Sequence, residues 1–353
     1  MKRPIMATLL VIALLTCGYA TTSNAANAEA KKEVYFYNWT EYLPERLLHQ
    51  FTKETGIKVI YATYESNEAM YAKMELLNSG GYDLVVPSTY FVNKMRAEGL
   101  LHEIDHSKLS NFKNLDPKLL NQVYDPDNKF SVPYMWGVTG IMVNSEAIDP
   151  AKVTSWNDLW NPEFKGQLLM LNDVRSVFHA ALRVLGYSGN TTNPAEIEAA
   201  FKKLQLLMPN VRTFNSDKPS TPFLESEVNI GMIWNGEAYT AAKENPALKF
   251  VYPKEGAAIW IDNLVIPKPA KNVENAHKLI NYLLRPEIAK AISEEIGYAS
   301  PNLEAIKLLP KEVQNNKTAY PTAEALKNGE MQLDVGPTTK LYEEYWDKLK
   351  AQK

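Results

Sequence analysis

Strand-like apolar runs alternate with amphipathic stretches over residues 34–87, and that alternation constrains the fold more than any other feature of the chain. Val34–Trp39, Lys58–Tyr64 and Tyr82–Pro87 read as strands, with helices expected near Pro44–Glu54 and Asn67–Asn78. Gly56 reads as the stop of the first helix, and Gly80-Gly81 closes the second before the chain reverses. A βαβαβ run of this kind demands a parallel sheet covered by helices. A second α/β set follows: strand Gly166–Asn172, helices Val174–Leu185 and Pro194–Met208, strand Val228–Trp234, helix Gly236–Asn245 and strand Phe250–Pro253. Between the two sets, Ser131–Val143 reads as two extended runs around Gly137, and Ile259–Pro267 reads as the return. Helices at Asn272–Leu284 and Pro286–Ile296 are expected with the first set, and Thr338–Leu349 with the second.

A chain of 353 residues exceeds what one hydrophobic core usually serves, so two lobes are expected. Residues 31–138 with 259–303 form lobe one, and 139–258 with 304–353 form lobe two. The two crossings between them make a hinge.

The first 25 residues read as a secretory signal: Lys2 and Arg3, then an apolar Ile5–Leu15, then small residues. Cleavage is possible after Ala25, Ala28 or Ala30, and Ala25 is favoured. Cys17, the only cysteine, lies inside this leader, so the mature chain has neither disulfide nor thiolate chemistry. Leu14-Leu15-Thr16-Cys17 only faintly matches a lipoprotein box, because Thr16 is a poor residue before the cysteine. No segment is long and apolar enough to span a bilayer. Of 38 basic and 41 acidic residues, the leader removes two basic and no acidic ones, which leaves a net charge of −5. That balance argues against a nucleic-acid partner.

In open α/β sheets ligands sit beyond the carboxyl ends of strands, which directs attention to a few residues. Five of the eight residues Tyr35–Tyr42 (YFYNWTEY) are aromatic in a chain that is 10% aromatic, so some of these rings must line a surface other than the core. The first strand ends at Trp39, Thr40, Glu41 and Tyr42, and the third offers Ser88 and Tyr90. In the second set, Trp234 closes a buried strand and Asp173 precedes a helix, where its ordinary role is an N-cap. Trp260 and Asp262, two apart on a strand, share a face. An indole beside a carboxylate attracts an ammonium through cation–π and charge together.

His102-Glu103-Ile104-Asp105-His106 matches the H-E-x-x-H zinc hydrolase pattern, which requires a helix. Gly99 ends the preceding helix, and Leu100–Asp105 reads as extended, which separates the two histidines. No glycine-rich phosphate loop or nucleophile elbow is present, and neither a metal nor another cofactor is expected.

The chain resembles the periplasmic spermidine/putrescine-binding proteins of ABC importers over essentially the whole mature length. The likeness rests on YFYNWTEY, TKETGIKVIY at Thr52–Tyr61, YESNEAMYAK at Tyr64–Lys73, YDLVVPSTY at Tyr82–Tyr90, TSWNDLW at Thr154–Trp160, LGYSGNTT at Leu185–Thr192, GMIWNG at Gly231–Gly236, LINYLLRP at Leu279–Pro286 and NGEMQLDVG at Asn328–Gly336. The resemblance implies the α/β two-lobed periplasmic binding protein fold of type II, no enzymatic activity, and delivery of the ligand to a membrane permease with its ATPase. It implies a polyamine pocket of Trp39, Thr40, Glu41, Tyr42, Ser88, Tyr90, Asp173, Trp234, Trp260, Asp262, Tyr298 and Gln332. Ser176 stands where the family commonly supplies another acid, which leaves Glu41, Asp173 and Asp262 as carboxylates and keeps both spermidine and putrescine open. Two other classes compete: a receptor for an amino acid, whose carboxylate would want Arg175, and an exported zinc hydrolase using His102 and His106.

Overall fold

A computed structural model describes residues 32–77 and 81–352. The signal segment, its cleavage sites, Cys17 and Gly80 lie outside the described residues. The strands are β1 (Glu33–Trp39), β2 (Lys58–Tyr64), β3 (Leu84–Val85), β4 (Ser131–Asn144), β5 (Leu168–Met170), β6 (Val211–Phe214), β7 (Ile230–Trp234), β8 (Leu248–Val251), β9 (Ala258–Val265) and β10 (Glu330–Met331). The helices are α1 (Glu45–Thr55), α2 (Asn67–Leu76), α3 (Thr89–Ala97), α4 (Val174–Val184), α5 (Pro194–Gln205), α6 (Thr221–Leu224), α7 (Asn235–Glu244), α8 (Val273–Leu283), α9 (Pro286–Ile296), α10 (Leu303–Leu308), α11 (Lys311–Gln314) and α12 (Thr339–Lys350).

The strands join in the order β2-β1-β3-β9-β4-β7-β5-β6, with β10 on β9 and β8 on β4. Pairs β1–β2, β1–β3, β5–β6 and β5–β7 are parallel, as the alternating pattern requires. The strands between them are antiparallel. Parallel strands covered on both faces carry continuous apolar runs, and Leu168, Leu169 and Met170 of β5 are all fully buried. On β1, Val34 and Phe36 enter a core with Leu47 and Phe51 of α1 and Leu279 and Ile280 of α8. Tyr37 packs in the cluster on the opposite face. A separate core gathers Leu168 and Met170 with Val177 and Phe178 of α4, Ile197 of α5, and Tyr342 and Trp346 of α12. Gly56 ends α1 at φ 71°, a left-handed stop whose N–H returns to the Thr52 carbonyl.

The expected break at Gly137 does not occur. Residues 131–144 form one strand, registered on β9 from Ser131 opposite Val265 to Thr139 opposite Ala258, then on β7 from Thr139 opposite Trp234. The irregularity falls earlier, between Pro133 and Met135. Gly137 is not a turn but a close approach: a Cβ there would lie 2.7 Å from the Trp260 ring and 2.4 Å from Asn235 Oδ1. Strand β6, helices α6, α10 and α11, and strand β10 escape the sequence pattern, since segments of two to six residues are too short to establish a period.

Candidate functional site

A cavity of about 710 Å³ opens beyond the carboxyl ends of β1 and β7 and beside the β4–β9 crossing. All thirteen residues singled out from the sequence line it: Trp39, Thr40, Glu41, Tyr42, Ser88, Tyr90, Asp173, Ser176, Trp234, Trp260, Asp262, Tyr298 and Gln332.

The turn after β1 fixes the first group. The Trp39 indole N–H donates to the Val86 carbonyl at 2.8 Å, and its ring lies 4.8 Å from that of Tyr64. Thr40 Oγ1 donates to the Tyr64 carbonyl at 3.3 Å. Glu41 takes φ 52°, a left-handed conformation costly for a residue with a side chain, and stays exposed while Tyr42 turns inward.

Asp262 is 5% exposed and accepts two hydroxyl hydrogen bonds, from Ser88 at 2.5 Å and from Tyr42 at 2.7 Å. No cationic side chain pairs with it among the described residues. Burial pushes its carboxyl up to about 6, against the pull of the Ser88 and Tyr42 hydroxyls. Trp260 meets Tyr298 edge to face at 5.4 Å, and Tyr298 meets Tyr42 in the same way at 5.4 Å. The Trp260 indole N–H and the Gln332 amide nitrogen are buried without a partner. Gln332 is held through its backbone, its N–H donating to the Ile259 carbonyl and its own carbonyl accepting from Thr89. Asn67 reaches both Ser88 Oγ at 3.2 Å and Tyr90 Oη at 3.0 Å.

From the other half, Asp173 caps α4 by accepting the Ser176 N–H at 2.8 Å, as its position in sequence foretells. Burial raises its carboxyl, opposed first by that N–H and next by the Arg175 charge. The Ser176 hydroxyl lies 3.4 Å from that of Thr139. Behind Tyr90, burial and then the charge of Asp173 raise Glu68 to about 7. Trp234 packs against the cores of both halves. Carboxylates outside any ion pair among the described residues, at buried Asp262 and half-buried Asp173, walled by aromatic rings, are arranged to attract an ammonium.

Arg175 does not face the cavity. It is 3% exposed, donating to the carbonyls of Leu333 and Gly189 and to Asn190 Oδ1, with Tyr90 and Tyr342 rings against its guanidinium. His102 lies in an irregular segment with Nδ1 2.9 Å from the Glu103 carbonyl oxygen, and His106 opens a 3₁₀ turn with Nε2 2.9 Å from that of Asn128. They do not share a helix face, and no group of three or more His, Cys, Asp or Glu gathers to hold a metal among the described residues.

Residues 46–322 match the family model described as bacterial extracellular solute-binding protein. The chain belongs to that family. It is 60% identical to the spermidine/putrescine-binding periplasmic protein of Escherichia coli (strain K12), covering 96% of this chain and 97% of that one. It is 34% identical to the putrescine-binding periplasmic protein SpuD of Pseudomonas aeruginosa (strain UCBPP-PA14), covering 97% and 98%. The solved structure of a putative spermidine/putrescine ABC transporter from Listeria monocytogenes superimposes with a TM-score of 0.87 at 42% identity, covering 91% of this chain and all of that one. The fold is therefore the two-lobed one of the solute-binding proteins.

The cavity also has six lining residues the sequence pattern does not reveal: Tyr64, Glu65, Asn67, Ser216, Asp217 and Glu237. Glu237 had a local signal, three residues after Trp234 and in the first turn of a helix. Ser216 and Asp217 had none, because they follow β6, which itself went unread.

Proposed function

We propose that this protein captures spermidine and/or putrescine in the periplasm, between two lobes, and delivers it unaltered to the permease and ATPase of an ABC importer. Lobe one comprises residues 31–138 and 259–303, and lobe two residues 139–258 and 304–353. The thirteen residues named above are the ligand-binding set. Two levels of likeness support the reading: the relative at 60% identity is a spermidine/putrescine-binding protein, and the one at 34% binds putrescine.

Asp262 is the observation that carries it. A buried carboxylate with hydroxyl donors and no cation, facing indole and phenol rings, lacks the one partner that would stabilise its charge. A polyamine supplies that partner as ammonium and lays its methylenes along Trp260, Tyr298 and Trp234. A lobe-one acid and a lobe-two acid gripping one ligand favour the closed arrangement, because only there are both contacts made. The amino-acid reading loses its anchor, since Arg175 is committed to carbonyls away from the cavity. Thermal unfolding with putrescine, spermidine, spermine and a panel of amino acids tests the assignment: polyamines alone should raise the midpoint, and mass spectrometry should recover them unchanged. Stabilisation by an amino acid instead, or chemical conversion of the polyamine, rejects it.

A further inference from the structure

The loop after β6 brings a cation beside a carboxylate that lines the cavity. Asn215 Oδ1 accepts the N–H groups of Asp217 at 2.9 Å and Lys218 at 3.2 Å, and the Lys218 carbonyl accepts the Thr221 N–H at 3.1 Å, so the loop is pinned at both ends. From it, Lys218 Nζ comes to within 3.8 Å of Oε2 of Glu41, which lines the cavity. Two residues on, Ser220 Oγ donates to Glu237 Oε2 at 2.7 Å. Glu41 and Glu237 both line the cavity: burial raises the Glu237 carboxyl first, Ser220 lowers it, Glu41 raises it and Lys218 lowers it. Asp262 and Asp173 have no ion pair among the described residues. The cavity is thus uneven, with two acids awaiting cations and one end already supplied with one.

On the reading that the ligand is a polyamine, we propose that Lys218 is a resident counter-cation at the Glu41–Glu237 end of the cavity and sets the ratio of triamine to diamine affinity. A diamine satisfies Asp262 and Asp173 and leaves the Lys218 end undisturbed. A third ammonium must share Glu41 and Glu237 with Lys218, and like charges at that distance repel.

The test is isothermal titration calorimetry with putrescine and spermidine at fixed ionic strength on the parent, Lys218→Gln and Lys218→Arg proteins. Lys218→Gln should raise the spermidine-to-putrescine affinity ratio about three- to tenfold, the effect of one charge several ångströms from an ammonium in a wet pocket. Lys218→Arg should keep the parent ratio, and adding Glu237→Gln to Lys218→Gln should cancel the gain. Lys218 is more than half exposed, so its variants should unfold at the parent midpoint. An unchanged ratio in Lys218→Gln, or an equal rise in Lys218→Arg, overturns the inference while leaving polyamine capture standing. A parent protein that binds neither amine overturns both.

Discussion

Burying Asp262 lifts its carboxyl to about 6, above the range of an exposed aspartate. The folded chain therefore holds this proton more tightly than the unfolded chain does. The resulting advantage is complete below about pH 4 and fades as pH rises through 6, to the extent of roughly 3 kcal/mol. Ligand reverses the preference, since an ammonium against Asp262 favours the ionised form. Polyamine affinity should fall as pH drops below 6, and calorimetry near pH 5.5 in buffers of different ionisation enthalpy should show proton release on binding. Asp262→Asn should lose about a hundredfold or more in affinity, while the ligand-free protein at pH 7.5 should be at least as stable as the parent. Trp260 behaves otherwise. It is 7% exposed and seated in the core of the first half, so Trp260→Ala should cost about 3 kcal/mol or more of stability as well as affinity. Trp260→Phe is the cleaner probe of its contact with ligand.

At the scale of elements, helix α4 is started by the same side chain that lines the cavity. Asp173→Ala should destabilise the protein by about 1 kcal/mol in urea titration and weaken binding, whereas Asp173→Asn should keep the cap and lose only binding. Strand β4 makes a comparable demand on Gly137, where a methyl would collide with the Trp260 ring. Gly137→Ala should displace the indole and lower polyamine affinity along with the unfolding midpoint. These elements also show what sequence discloses. Strand β2 and helix α9 occupy the spans their periodicity predicts. Trp39, Thr40, Glu41, Tyr42, Ser88, Tyr90, Asp173 and Trp234 were legible because they follow apolar runs, and Trp260 and Asp262 because they share a strand face, whereas Ser176, Tyr298 and Gln332 came only with the family resemblance. Lys218 and Ser216 were obscure because nothing local marks them, and Glu237 because its one mark, a place in the first turn of α7, is shared by any helix-starting acid. Their meaning comes from a loop folding over a cavity built by residues far away in the chain. Gly137 misled because glycine in an extended run suggests a break, and only the Trp260 ring opposite explains its small size.

Across the whole molecule, two antiparallel strands, β4 and β9, sit between the parallel ends of the sheet, and Trp234 touches both main cores. Polyamine should draw the halves together: small-angle scattering should show a smaller radius of gyration, and the fluorescence of Trp39, Trp234 and Trp260 should change with the same midpoint as calorimetric binding. At ligand concentrations a hundredfold above Kd, stability should rise by about 2.7 kcal/mol. The pairing of β4 with β9 bears also on how the molecule comes into being. Residues 131–139 wait for residues 258–265, and Val34 and Phe36 wait for α8 at residues 273–283. Pairings at such sequence separation close large loops before the contacts repay them, so refolding from denaturant should be slow.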